Sequence, residues 1–149
     1  MTGQATDAAS SSWLAWAFLS ALFAAMTAIC AKIGIEGINS DLATFFRTIV
    51  ITVVLGLLLA ATGKFQSIDA ISPRSWLFLI LSGLATGASW LCYFRALKIG
   101  DAARVAPIDK LSVVFVALIG VTVLGEHLSV RGWMGIALIG IGAVLVAIA

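Results

Sequence analysis

Five long apolar segments constrain this chain more than any other feature. They cover about residues 13–34, 42–62, 76–97, 103–124 and 131–149. A helix rises about 1.5 Å per residue, so segments of this length cross the roughly 30 Å hydrocarbon layer of a membrane. Backbone groups in lipid must be satisfied within the protein, so we expect an all-α membrane protein with five transmembrane helices. Residues 1–12 are small and polar and are expected to form a flexible lead.

The composition supports a membrane setting and argues against several other classes. Hydrophobic residues make up 62% of the chain and charged residues 11%, whereas soluble domains carry about 25% charged residues. A net charge of +2 is too small to indicate a nucleic-acid partner. Cys30 and Cys92 both fall in apolar spans, where we expect small buried hydrophobes and not a disulfide. His127 has no companion ligand, so neither a metal nor another cofactor is predicted.

The fourth span begins with Ala106-Pro107-Ile108-Asp109-Lys110-Leu111-Ser112, which places a proline and two opposite charges inside a membrane-length helix. Asp109 and Lys110 lie roughly 7 Å from the middle of the span. Neighbours on a helix point about 100° apart, so each is expected to find its own partner. Pro107 frees a backbone carbonyl and predicts a kink. Ionisable residues at this depth favour a functional site, and the alternative is an ion pair that only fixes helix register.

Three further side chains lie within other spans and are candidates for the same site. Arg47 lies four or five residues from the centre of the second span. An unpaired guanidinium there is unfavourable, and Asp109 is the nearest acidic candidate in depth; the alternative is that Arg47 reaches the lipid headgroups. Trp90 and Tyr93 lie past the middle of the third span and are candidate walls of a binding cavity. They could equally face lipid or pack within the bundle.

Small residues mark faces where helices are expected to pack closely. Gly83 and Gly87 form a GxxxG motif in the third span, and Gly135 and Gly140 belong to a glycine-rich face of the last span. Such residues let two helix backbones approach each other.

The orientation of the chain is weakly specified. Five spans put the two termini on opposite sides of the membrane. The loops on the amino-terminal side hold Lys64, Arg74 and Arg131, and those on the other side hold Lys32, Lys98 and Arg104, which is three against three. Without a clear excess on one side, the positive-inside rule does not choose an orientation. A chain that inserts both ways can pair with its inverted copy.

Three motifs carry a resemblance to a known family. They are Tyr93-Phe94-Arg95-Ala96-Leu97, Ala106-Pro107-Ile108-Asp109-Lys110-Leu111-Ser112 and Leu124-Gly125-Glu126-His127-Leu128-Ser129, followed by the glycine-rich last span. Together they resemble a single EamA domain of the drug/metabolite transporter superfamily. The resemblance covers residues 13–149, and the end of the fourth span is its most specific part.

The resemblance implies a half-size unit. Full-length members are similar to two such units in tandem, ten spans with inverted topology, that export metabolites such as amino acids. The expected active form is therefore an antiparallel homodimer in a bacterial inner membrane. Small multidrug resistance proteins rely on a glutamate in the first helix, and this chain has none there, which disfavours a cation antiporter of that design.

The charges at depth favour a particular kind of substrate. Lys32, Arg47, Arg95 and Lys110 stand against Asp109 alone. We therefore expect a small anionic or zwitterionic substrate bound by Arg47, Asp109 and Lys110. The alternative from another class is a non-transporting membrane subunit whose charges pair with a larger protein. An enzyme is not expected, because no nucleophile and base pair, metal site or phosphate loop is present.

Overall fold

The computed structural model describes the backbone of residues 3–149 and the side chains of residues 13–149. In that range it contains helices and no strand. The predicted flexible lead, residues 1–12, lies outside the described side chains and stays a prediction. The helices are α1 (Gly3–Gly34), α2 (Ser40–Thr62), α3 (Pro73–Ile99), α4 (Ala102–Asp109), α5 (Ser112–Val123) and α6 (Val130–Ile148), with a 3₁₀ turn at Ile68–Ala70.

Within the described residues, five helical segments are long and apolar enough to cross a membrane, which confirms the predicted fold class. α4 and α5 together make one of them. The third segment is longer than hydropathy predicts, because Pro73 starts α3 and the Ser72 hydroxyl accepts a hydrogen bond from the backbone N–H of Ser75. The segments are Trp13–Gly34, Ser40–Thr62, Pro73–Ile99, Ala102–Val123 and Val130–Ile148.

The fourth segment is interrupted between α4 and α5. Pro107 lies inside α4, and the interruption follows three residues later, at Lys110 and Leu111. There the N–H of Lys110 bonds to the carbonyl of Pro107 (3.1 Å) and that of Leu111 to the carbonyl of Ile108 (3.0 Å). These are the shorter-range bonds of a 3₁₀ turn, in which the helix tightens without stopping. Asp109 is therefore the last residue of α4, and Lys110 lies in the turn.

α1, α3 and α4 form the centre of the bundle. α3 packs against α1 and α4, and α1 also packs against α4. α2 lies on the outer side of α3, and α6 packs against α4 and α5. We call the membrane side where the first span begins, at Trp13, the amino-terminal side, and the side where α6 ends the carboxyl-terminal side.

The best-buried residues lie on the carboxyl-terminal side. Ile35, Phe94 and Leu97 form a cluster whose members are at most 3% exposed. The ammonium group of Lys32, near the end of α1, donates hydrogen bonds to the carbonyls of Leu97 (2.7 Å) and Gly100 (2.8 Å). Those carbonyls end α3 and have no partner within the helix, so Lys32 fixes the end of α1 to the end of α3.

The motif Leu124-Gly125-Glu126-His127-Leu128-Ser129 builds the connection from α5 to α6. Gly125 has a φ of +70°, which favours glycine and turns the chain back. The N–H of Glu126 then bonds to the carbonyl of Gly120 (3.0 Å), and a β-carbon on Gly120 would lie 2.6 Å from the Glu126 carboxylate. The Ser129 hydroxyl caps α6 by accepting from the N–H of Gly132.

Most apolar side chains face outward from this chain. Among residues 13–149, five apolar residues are buried: Ala28, Ile35, Phe94, Leu97 and Ala143. Of the glycines predicted to mediate packing, Gly140 would place a β-carbon 3.3 Å from Val114, while Gly83, Gly87 and Gly135 have no neighbouring atom within 4 Å of that position. The exposed apolar surface is suited to lipid and to other membrane helices.

Candidate substrate site

A polar cavity of about 200 Å³ lies between α1, α2, α3 and the junction of α4 with α5. The five residues that the sequence suggests for substrate binding all line it. We call it the central cavity; its lining residues are Ala24, Thr27, Arg47, Ser89, Trp90, Tyr93, Asp109 and Lys110.

The position of each side chain along its helix explains why they meet. Arg47 lies seven residues from the start of α2, Asp109 seven residues from the start of α4, and Thr27 seven residues before the end of α1. All three of these helix ends are on the carboxyl-terminal side. At about 1.5 Å per residue, the three side chains therefore lie at one level, roughly 10 Å inward from the helix ends. The cavity thus sits in the carboxyl-terminal half, close to the middle of the membrane.

Asp109 and Lys110 bond to each other. The Lys110 Nζ lies 3.0 Å from Oδ2 of Asp109. The expectation that each would find a separate partner is wrong, because it assumed a regular helix through both residues. Lys110 instead lies in the turn after α4, where its long side chain folds back onto its neighbour. The pair is not enclosed within the chain, since 55% of the Lys110 side chain and 36% of the Asp109 side chain are exposed.

Arg47 is held by aromatic rings and not by Asp109. Its guanidinium carbon lies 4.1 Å from the centre of a Trp90 ring and 5.4 Å from that of Phe94. Contacts of this kind are worth about 2 kcal/mol when shielded from water. The two ion pairs among residues 13–149 are Arg95 with Asp41 and Lys110 with Asp109, so the expected pairing of Arg47 with Asp109 is wrong.

Phe94 is the residue that sequence reasoning missed. It is four residues after Trp90, so both rings lie on one face of α3. Two aromatic residues four apart in one span, together with an arginine inside another span, were the sequence signal that could have identified Phe94.

Two of the cations counted at depth in the sequence are used elsewhere. Lys32 caps the end of α3, and Arg95 donates two hydrogen bonds to Asp41, at 3.0 and 2.7 Å. Asn39 caps α2, because its side chain accepts hydrogen bonds from the backbone N–H groups of Asp41 and Leu42. The charges left at the central cavity are Arg47, Lys110 and Asp109.

Two larger cavities adjoin the central one. The outer cavity, about 380 Å³, extends toward the carboxyl-terminal side and shares Thr27 and Arg47 with it. The inner cavity, about 480 Å³, extends toward the amino-terminal side along the alanine-rich face of α1 and shares Ala24, Tyr93 and Lys110 with it.

Both cysteines are free thiols and are exposed, which corrects the prediction that they are buried. Cys30 lines the outer cavity. In the part of the chain with described side chains, no three His, Cys, Asp or Glu residues are grouped as metal ligands.

Comparison with known proteins identifies the family. Residues 11–148 match the EamA-like transporter family. The chain belongs to this family. It is 60% identical, over 139 residues, to a protein from Sinorhizobium sp. described as "Uncharacterized transporter in cobO 3'region"; the match covers 93% of this chain and 99% of that relative. No solved structure matches it. This EamA family member is thus an integral, multi-pass membrane transporter.

Proposed function

We propose that this EamA family member is a secondary transporter or facilitator of small polar metabolites such as amino acids, working by alternating access. The observation that supports this proposal most directly is the central cavity, in which Arg47, Asp109 and Lys110 meet near the middle of an apolar bundle. Charged residues at that depth are unfavourable unless a polar ligand, water or another protein group faces them. A cavity of about 200 Å³ is smaller than the roughly 300–1,000 Å³ pockets of drug-sized ligands, which favours a small metabolite.

The proposed active form is an antiparallel homodimer in a bacterial inner membrane. Lys110 is more than half exposed at a depth where lipid would otherwise meet its charge. A second, inverted copy facing this cavity would cover it and would supply the opposite half of an alternating-access pathway. The even distribution of Lys and Arg between the loops permits both orientations.

Flux into liposomes tests the site. Purified chain is reconstituted and its uptake of labelled amino acids and small carboxylates is measured. Arg47→Ala and Asp109→Asn are expected to reduce uptake roughly ten- to a hundred-fold, because each removes a charged hydrogen-bonding group worth about 1.5–3 kcal/mol. Arg74→Ala is the control, since Arg74 lies outside the cavity at the start of α3. Uptake that is unchanged in both cavity variants would refute the site.

The topology of the carboxyl terminus tests the dimer. One reporter is active only inside the cell and another only outside, and each is fused to the carboxyl terminus. Comparable signals are expected from both. A signal from only one reporter would contradict an antiparallel homodimer and would require an oppositely oriented partner chain.

A second candidate is a non-transporting membrane subunit. The exposed faces of Gly83, Gly87 and Gly135, which have no partner within residues 13–149, favour it because such faces suit another helix. Purification in a stoichiometric complex, together with no flux by the isolated chain, would support this reading over the first.

A further inference from the structure

The three cavities follow one helix across most of the membrane. The inner cavity begins at Ala17 and the outer cavity ends at Gly34. Between them, the central cavity shares Ala24 with the inner cavity and Thr27 with the outer cavity. Seventeen residues of helix correspond to roughly 26 Å, close to the thickness of the hydrocarbon layer. A polar solute moving along α1 would meet each cavity in turn.

Arg47 stands between the outer and the central cavity. It lines both, and of the residues that line both only Thr27 accompanies it. The guanidinium is held there by the rings of Trp90 and Phe94, since its carbon lies over both, 4.1 and 5.4 Å from the ring centres. Movement of this one side chain would therefore change the connection between the two cavities.

The hydrogen-bond donors of Arg47 are available to a ligand. A guanidinium carries five N–H donors, and among residues 13–149 Arg47 forms cation–π contacts but no hydrogen bond and no ion pair. The carboxylates of Asp41 and Asp109, the acids of the described ion pairs, are bound to Arg95 and Lys110. A planar carboxylate matches the two parallel N–H groups of an arginine and forms two charge-assisted hydrogen bonds with them.

The charge of the central cavity favours a single carboxylate. Arg47 and Lys110 contribute one positive charge each and Asp109 one negative charge, which leaves a net charge of about +1. One carboxylate neutralises it, whereas a phosphate dianion would reverse it in a low-dielectric setting.

We propose that Arg47 is both the receptor for the substrate's carboxylate and the partition between the outer and the central cavity. Binding of the carboxylate draws the Arg47 side chain away from Trp90 and so joins the two cavities. This rests on the proposed transport function and names its substrate group. The bidentate hydrogen bond to the carboxylate replaces the cation–π contact. A ligand that bears a carboxylate therefore opens the connection from the outer to the central cavity. A cation of the same size has no comparable interaction with Arg47.

Trp90 fluorescence tests the receptor. In a full-length chain with Trp13, Trp16, Trp76 and Trp133 replaced by Phe, Trp90 is the sole tryptophan. Acetate is expected to change its emission saturably, and methylammonium, a cation of similar size, is expected to leave it unchanged. Arg47→Gln should abolish the response, and Arg47→Lys, which keeps the charge without the planar fork, should raise the half-saturating concentration about ten-fold. An equal response in Arg47→Gln, or to methylammonium, would overturn the receptor role.

Quenching of Trp90 fluorescence by acrylamide, measured on the single-tryptophan chain in liposomes, tests the partition. Acetate is expected to make Trp90 more accessible to this neutral quencher, and no increase would overturn the partition. Uptake measured on the same preparation separates the two proposals. Uptake with a Trp90 that is insensitive to acetate would refute this inference alone, whereas an acetate response without uptake would refute transport and leave the binding site standing.

Discussion

The two halves of the bundle differ in how firmly their helices are joined. In the carboxyl-terminal half, Ile35, Phe94 and Leu97 are buried together and Lys32 bonds across to the end of α3. In the amino-terminal half, Gly120 is the one buried residue among residues 13–149. Packing and hydrogen bonding thus fix one end of the unit and leave the other end held mainly by its surroundings.

The bonds between helices follow the same division. In the described part of the chain, the side-chain bonds that join separate elements come from Lys32, Arg95 and Lys98, all near the carboxyl-terminal side. At the opposite end, Arg74 lies 6.0 Å from the ring of Phe78 in its own helix and joins no second element.

This difference bears on the alternating access that we propose. We call the amino-terminal half, in which few contacts join the helices, the loose half. The central cavity lies close to the boundary between it and the firmly joined carboxyl-terminal half. Helices that are fixed at one end can separate or close at the other without breaking the contacts that hold the site together. We therefore expect the amino-terminal half to move most during transport, with the core around Leu97 as its anchor.

Leu97→Ala should have the largest effect on stability. Leu97 is fully buried, and its loss leaves a cavity in the anchoring core. We expect the free energy of unfolding to fall by about 2 kcal/mol, the low end of the range for Leu→Ala, because lipid is as apolar as the protein interior and mainly dispersion contacts are lost. Unfolding in mixed micelles measures this. Leu84→Ala is the matched control in the loose half of α3, where Leu84 is 67% exposed; an equal loss in both variants would contradict the comparison.

Lys32→Met should come next. Methionine keeps the apolar length of the side chain but leaves the carbonyls of Leu97 and Gly100 without their donor. Hydrogen bonds from a charged group are worth roughly 1.5–3 kcal/mol, and water at the membrane surface would replace part of that. We expect a loss of about 1.5 kcal/mol in the same unfolding assay. Lys64→Met, in the loop after α2, is the control and should change little.

Gly120→Ala tests the one buried position of the loose half among residues 13–149. An added β-carbon would meet the Glu126 carboxylate at 2.6 Å, so that side chain must rotate away. We expect a loss of about 1 kcal/mol, small because the obstacle is the flexible end of a side chain. In a double-mutant cycle, Glu126→Ala should relieve most of the loss from Gly120→Ala. Additive losses would show that the carboxylate is not the cause.

Hydropathy located the five spans because lipid requires continuous apolar helices. Counting residues from the span centres also predicted that Arg47 and Asp109 lie at a similar depth. Their pairing could not be read in the same way. The bond between Asp109 and Lys110 depends on a turn three residues after Pro107, and the stacking of Arg47 on Trp90 depends on how α2 and α3 are rotated. Depth follows from counting residues, whereas rotation is set by packing against neighbouring helices.

The smallest effect, and one of opposite sign, is expected for Gly87→Ala. Nothing within 4 Å would meet the added β-carbon, so the isolated chain should gain roughly 0.5–1 kcal/mol of stability from the better helix former. If a second copy packs against the GxxxG face, the same methyl group should weaken the dimer, because close backbone approach would be blocked. Unfolding and dimer dissociation are therefore measured on one preparation, with Gly56→Ala, which also has open space, as the control. A stabilised chain with a weakened dimer would place the partner on the loose half of α3, whereas stabilisation with unchanged association would place it on another face.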